Sequence, residues 1–144
     1  MIRLGSNSLC NIQHLADTLD RICVLAEVKI LDLSCNMIDG FQRCFDDPRF
    51  DGLMKLYLHG NAFGNLENII YLRHLPALQA LSMHGTPMSD KANYRALTLS
   101  TLLQLKTLDM VPITHAERAS AAAWRKMTKV RLQVSQQVEP TDAD

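Results

Sequence analysis

The chain comprises 144 residues, with 15 Lys and Arg against 15 Asp and Glu, 47% hydrophobic residues and 6% aromatic ones. This is the length of one ordinary domain with its own core, and a second domain is not expected. Zero formal net charge argues against the globally basic character of a nucleic-acid-binding domain. No stretch reaches the roughly 18 apolar residues of a membrane span, and Met1-Ile2-Arg3-Leu4 does not read as a signal peptide, so a soluble intracellular chain is expected, bound to neither nucleic acid nor membrane.

Leucine supplies 22 residues, while Val and Ile together supply 14. Apolar content concentrated in one residue type points to an internal repeat rather than to strands of ordinary composition. Cys10, Cys23, Cys35 and Cys44 form no C-x-x-C pair and crowd into the first third of the chain. They read as small buried apolar side chains in a reducing compartment, against a disulfide framework or a thiol metal site.

In chain order, Ile2, Leu4, Asn7 and Leu9 open a first repeat, and a helix is predicted over residues 13–25 with Leu15, Leu19 and Ile22 on one face. The pattern L-x-x-L-x-L-x-x-N-x-L then runs from Val28 through Leu31, Leu33 and Asn36 to Ile38. Residues 39–50 carry Phe41, Cys44 and Phe45, but Pro48 limits any helix there to a short one. A second full copy runs from Leu53 through Leu56, Leu58 and Asn61 to Phe63, followed by helical spacing of Leu66, Ile69 and Ile70 over residues 65–74. A third places Leu78, Leu81, Met83, Thr86 and Met88, after which Ser89-Asp90 is positioned to cap a helix holding Tyr94, Leu97 and Leu102. A degenerate last copy places Leu105, Leu108, Met110 and Ile113, and the copies start 29, 25, 25 and 27 residues apart, counted from Ile2, Leu31, Leu56, Leu81 and Leu108.

This is a leucine-rich repeat. Each L-x-L is a short strand whose alternate side chains point inward, so the copies stack as a right-handed α/β horseshoe, with a parallel sheet on the concave face and helices returning the chain on the convex side. Asn7, Asn36 and Asn61 are expected as a buried ladder satisfying backbone groups at the turns. At Thr86 the ring of Pro87 is expected to fix the turn instead. Three segments follow: repeats over 1–113, a capping basic amphipathic helix over 114–131, and an extended or disordered tail over 132–144. The first strand has nothing ahead of it in this sequence, so either a partner covers its edge or the chain is incomplete there.

The runs Leu31-Asp32-Leu33-Ser34, Leu56-Tyr57-Leu58-His59-Gly60-Asn61, His84-Gly85 with Pro87-Met88, and Tyr94-Arg95 resemble the leucine-rich repeat-containing protein 51 family. So do Leu108-Asp109, Thr114, Glu117-Arg118, Ala122 and Trp124-Arg125-Lys126-Met127, the likeness extending over roughly residues 28–127. The stretch from Tyr94 to Arg118 is similar to the C-terminal cap of the axonemal dynein light chain and U2 A-prime families. Thr86 replaces the usual Asn, and the family's longer N-terminal region has no counterpart here. The resemblance implies a non-enzymatic binding module of the ciliary or flagellar axoneme, monomeric within a larger assembly, with tubulin, dynein or spoke components as partners. The alternative is a cytosolic regulatory subunit docking on a phosphatase or a dynein-assembly factor.

Strand positions facing away from the core are the first candidate surface: Arg3, Asp32, Tyr57, Ser82 and Asp109, with Lys55 before them and His59 and His84 after. His59 and His84 should be neighbours about 4.8 Å apart. They lack the further ligands that zinc requires, so partner contact or structure is the expected role, with no metal and no cofactor. On the last helix Ala123, Trp124, Met127 and Val130 gather on one side, and Arg118, Arg125 and Lys129 opposite, with Lys126 adding to the charge. From His115 to Arg131, five basic residues and one acidic give +4. This stripe either meets an acidic partner surface or is a solvated helix face, and Trp124 is expected to pack the cap. No phosphate-cradling glycine loop, His-Glu-x-x-His or Gly-x-Ser-x-Gly is present, so catalysis is not expected.

Overall fold

The computed structural model describes residues 1–137. Five short strands lie parallel in chain order: β1 (Ile2–Arg3), β2 (Ile30–Asp32), β3 (Lys55–Tyr57), β4 (Ala80–Ser82) and β5 (Thr107–Leu108). Ile2, Leu31, Leu56, Leu81 and Leu108 are aligned across them in register, one from each repeat. Behind them Leu33, Leu58 and Met83, then Ile38, Phe63 and Met88, form further fully buried rows. A slip of one residue would turn every one of these rows toward water, so the alternation itself sets the register.

The convex side is built from short pieces: α1 (Leu15–Asp20), α2 (Glu67–Tyr71) and α3 (Tyr94–Thr101), joined by 3-10 turns at Leu25–Glu27, Cys44–Asp46, Pro48–Phe50, Leu72–His74 and Pro87–Asp90. The helix expected over 13–25 is thus cut to six residues. The Asp20 carboxylate accepts from the Leu25 N–H, replacing helix by a turn, and Ile22 is 76% exposed rather than buried beside Leu15 and Leu19. Pro48 does limit its segment, opening a 3-10 turn capped by Asp47, whose carboxylate accepts from the Arg49 N–H. Ser89-Asp90 does not cap α3: both residues belong to the turn opened by Pro87, and Ser89 donates to the Thr86 carbonyl.

Each of β1 to β4 is followed by one residue in the left-handed region: Ser6, Cys35, Gly60 and Gly85, with φ of 57°, 53°, 70° and 68°. The next residue closes the turn. Asn61 donates to the carbonyls of Leu58 in its own repeat and Leu33 in the previous one, both at 2.9 Å, and accepts from the Ile38 N–H at 3.1 Å. Asn36 repeats this one layer down, donating to Leu33 and Leu4 and accepting from the N–H groups of Asn7 and Leu9. Asn7 departs from the expected buried ladder: its amide reaches only Leu4 and Gly5 in its own turn and stays exposed. At the last full repeat the Thr86 hydroxyl, 1% exposed, donates to the Met83 carbonyl at 2.7 Å. A hydroxyl therefore does the work of the amide there, alongside the Pro87 ring rather than replaced by it.

The last repeat also differs from expectation. The chain reverses at Asp109 and Met110, whose φ values of 51° and 66° suit a tight hairpin, and β6 (Val111–Pro112) returns antiparallel on β5. Met110 is consequently exposed rather than packed inward, as is Val111 beside it. The final helix, α4 (His115–Gln137), continues past residue 131, so 132–137 are helical rather than extended; the rest of the expected tail, 138–144, lies outside the described residues.

All four phenylalanines meet edge-to-face in a chain from Phe63 to Phe41 to Phe45 to Phe50, centroids 5.2 Å apart at each step. Beside them Arg49 binds Asp47 and reaches back to Asp17 and Asp20 on α1, fastening the first repeat to the second. Burial pushes the Cys44 thiol up to about 12, as expected for an apolar cysteine. Cys23 is half-buried, but Cys10 and Cys35 are exposed, contrary to the reading of all four as core. Cys35 occupies the left-handed turn position, which points away from the core. At the outer edge of β1, Leu4, Leu9, Leu15, Leu19 and Ile22 border an open apolar groove of about 670 Å³.

Replacing Asn61 by Ala removes three buried bonds and is expected to lower stability by about 3 kcal/mol, while Asn7→Ala, exposed, should lie within about 1 kcal/mol of the parent. Urea denaturation midpoints of the two variants would check this, and equal losses would mean that the ladder is not what holds the turns.

Candidate partner-binding surfaces

Because the strands are in register, Arg3, Asp32, Tyr57 and Ser82 form one row across the concave face, with Lys55 beside Tyr57. Past the strand ends the backbone keeps its register through bonds from Cys35 N–H to the His59 carbonyl and from Gly60 N–H to the His84 carbonyl. That spacing brings the His59 and His84 rings into a parallel stack, centroids 4.6 Å apart and planes 5° from coplanar. Tyr57 meets His59 edge-on at 6.4 Å.

Ser82 is not available to a partner as expected. It is fully buried, and its hydroxyl lies 2.7 Å from Nδ1 of His59, which it orients from below. Burial, and then the neighbouring His84, hold the His59 imidazole below its ordinary range despite the opposing charges of Asp32 and Asp109. A neutral, oriented imidazole is the state that stacks without repulsion. Asp32 is half-buried and turned onto its own strand end, accepting from the Ser34 N–H and hydroxyl at 2.9 and 2.6 Å.

Asp109 also departs from its expected place on the concave face. Its Oδ1 accepts from the N–H groups of Met83 and His84 at 2.7 and 3.0 Å, and its Oδ2 from the Tyr94 hydroxyl at 2.8 Å. In the earlier repeats the equivalent N–H groups of Leu33 and Leu58 bond to the next strand's carbonyls. Where the chain turns away, the Asp109 carboxylate takes over that duty and ends the parallel sheet. Burial and the adjacent carboxylate push the Tyr94 phenol well above its usual range, which keeps it a donor. What remains open to a partner is a shelf of Tyr57, His59 and His84, with Lys55 earlier on the same strand as Tyr57 and Arg3 two strands away also exposed. Among the described residues no group of three or more His, Cys, Asp or Glu converges as metal ligands would.

The second surface is rearranged more strongly. Arg118 was expected on the solvent side of α4, but its guanidinium is partly buried and donates to the carbonyls of Leu99 and Leu102 at 2.6 and 3.1 Å, and to that of Leu105. These lie at and beyond the C-terminal end of α3, where carbonyls have no helical partner. Burial lowers the Arg118 pKa without discharging it. The side of α4 turned to the domain accordingly carries Glu117, Arg118, Ala121, Trp124 and Thr128. Ala123 and Met127, expected beneath it with Trp124, are exposed, Met127 by 61%. The side chain of Val130, expected with them, lies outside the described residues. Trp124 is half-buried against the cap as anticipated, and Arg125, Lys126 and Lys129 are exposed, Arg125 touching the Ser100 carbonyl at 3.1 Å.

Beyond their part in the family likeness, Thr114 and Glu117 carry a capping signal, T-x-x-E ahead of a helix. Thr114 Oγ1 accepts from the Glu117 N–H and the Thr114 N–H donates to the Glu117 carboxylate, a reciprocal capping pair. With Arg95 at 2.6 Å, the Thr114 N–H holds Glu117 below the usual carboxylate range.

Asp109→Ala strands three donors and is expected to lower stability by about 3 kcal/mol, and Tyr94→Phe by about 1 kcal/mol, both measurable by urea unfolding. For His59 the folded pKa lies below the 6.5 of the free imidazole. The unfolded chain therefore takes up the proton first, and the stability of the neutral stack is complete above about pH 6.5 and lost as pH falls through the lowered value. A proton NMR titration should show His59 charging below pH 6.5, with His84→Ala raising that midpoint; an unmoved midpoint in the variant would mean the two rings do not interact.

A family model described as leucine-rich repeat matches residues 9–138. Leucine-rich repeat-containing protein 51 of Homo sapiens is 40% identical over 100 residues, covering 67% of this chain and 50% of that protein. The Bos taurus protein of the same name is 38% identical over 109 residues, covering 71% and 54%. Leucine-rich repeat-containing protein 23 of Homo sapiens is 32% identical over 140 residues, covering 95% of this chain and 36% of that protein. The chain thus spans about half the length of the first of these relatives. A chain of the Drosophila melanogaster SNF/U2A' complex shares the fold, with a TM-score of 0.68 at 20% identity over 92% of this chain and 68% of that one. In-register leucines, the turn ladder and these likenesses agree: the chain belongs to the leucine-rich repeat family, among relatives named leucine-rich repeat-containing protein 51.

Proposed function

We propose that this chain is a non-enzymatic adaptor of the ciliary or flagellar axoneme, and that it engages a protein partner through the Tyr57, His59 and His84 shelf. The observation that carries the binding role is the imidazole stack itself. Ser82 and the sheet register hold both rings in place before any partner arrives, so little ordering entropy remains to be lost on association. Neutral imidazole and phenol edges offer both hydrogen bonds and flat apolar area, the mixture that protein interfaces favour. The axonemal setting is supported by the likeness to leucine-rich repeat-containing protein 51, whose family resemblance implied a binding module there. Tubulin, dynein and spoke components are the partners to examine.

Isolated flagella extracted with detergent and then with graded salt, followed by mass spectrometry, test the setting. Retention through detergent is expected. Release into the detergent supernatant, or absence from flagella, would overturn it in favour of a cytosolic regulatory subunit. The shelf is tested by a Tyr57→Ala, His84→Ala double variant, which should lose retention while keeping a melting curve close to the parent's; undiminished retention would remove the shelf from the interface.

A further inference from the structure

Two grooves flank α4 where it crosses the end of α3. One, of about 420 Å³, has Leu99, Leu103 and Ala122 in its walls with Lys126 at its border; the other, of about 310 Å³, has Ile70, Leu97 and Trp124 with Arg73. Thr101, Arg125 and Lys129 line both, so the two form one saddle over the last turn of α3. Its apolar surface is open: Leu103 is 74% exposed and Ile70 38%. Its charge is of one sign. No Asp or Glu lines either groove among the described residues, and Glu117, on the same helix, is already engaged by Arg95. Arg118 belongs to the cap, which leaves Arg73, Arg125, Lys126 and Lys129 as cations exposed around an apolar floor.

We infer that this saddle is a docking site for an acidic amphipathic segment of a partner protein, its apolar side chains seated beside Leu103 and Trp124 and its carboxylates on Arg73, Arg125, Lys126 and Lys129. Charge complementarity selects the occupant. A chain of zero net charge has gathered these cations around carbon surface, where a purely solvating role would set them apart from it. The floor offers a single half-buried aromatic ring and so lacks the succession of stacking platforms that single-stranded nucleic acid uses. An apolar stripe at helical spacing, flanked by acids, matches two recesses set along one helix. The inference rests on reading the chain as a binding module, but not on its place in the cell.

Trp124 is the sole tryptophan of the chain, so its fluorescence reports on the saddle directly. The probe is a synthetic helical peptide of about 15 residues with Leu at i, i+4, i+7 and i+11 and Glu on both flanks. The peptide is expected to shift Trp124 emission saturably, more weakly as salt rises, with affinity about tenfold lower in a Lys126→Glu, Lys129→Glu variant of unchanged melting temperature. Leu103→Ser, at an exposed position, should weaken it without altering the salt dependence. No spectral change with the peptide would overturn the inference. So would equal binding of a peptide with every Leu replaced by Ser, or tighter binding of a single-stranded RNA homopolymer or of phosphatidylserine vesicles. A chain that binds the peptide but washes out of axonemes leaves the saddle standing and removes only the axonemal setting; a chain retained in axonemes that ignores the peptide does the reverse.

Discussion

Strands of two or three residues make too few ladder bonds to hold a sheet, so the structure depends on what happens at the turn after each one. After β2, β3 and β4 the chain enters the left-handed region for one residue and then buries a polar side chain, Asn36, Asn61 or Thr86, against carbonyls that face no strand. A buried carbonyl left unpaired costs on the order of 1–3 kcal/mol. The asparagine amide carries two N–H donors and an acceptor, so one side chain serves its own turn and both a carbonyl and an N–H of the previous repeat at once. Threonine has one hydroxyl donor, and at Thr86 it satisfies one carbonyl. The series therefore weakens toward the end of the solenoid, where the cap begins.

Ending a parallel sheet raises the same problem in another form. The N–H groups just past β4 need acceptors once the chain has turned away after β5, and the Asp109 carboxylate supplies them while accepting from Tyr94. Arg118 does the complementary task for the carbonyls that end α3. An anion placed on orphan donors and a cation placed on orphan acceptors close the two layers of the horseshoe. Both side chains have charge that a surface reading assigns to partners, and both are used internally because an ionised group makes the stronger hydrogen bond.

The surfaces left for binding are what the caps do not consume. On the concave side Ser82 disappears beneath His59, and the imidazole stack above it is held at the spacing of parallel strands. On the convex side the burial of Arg118 rotates α4 so that Trp124 lies over the domain and Lys126 and Lys129 border open apolar recesses. Positions are therefore fixed by structural necessity first, and recognition occupies the remainder.

Leucine spacing along the chain sets the repeat, its register and its core. Strict L-x-L alternation leaves only one way to bury Leu31, Leu56, Leu81 and Leu108 together, and any shift would expose them all. It also placed His59 and His84 side by side, since equal offsets from in-register leucines must be neighbours. It did not determine the fate of polar residues. Whether Asp109 or Arg118 faces a partner or the protein depends on which backbone groups lack partners nearby, and those are set by where the sheet stops and where α3 ends; Ser82 is taken up by the His59 ring above it. The length of α1 likewise turned on one carboxylate, Asp20, meeting one N–H five residues on. Apolar burial repeats at a period that can be counted along the chain, whereas orphaned hydrogen-bonding groups exist only once the tertiary structure has created them.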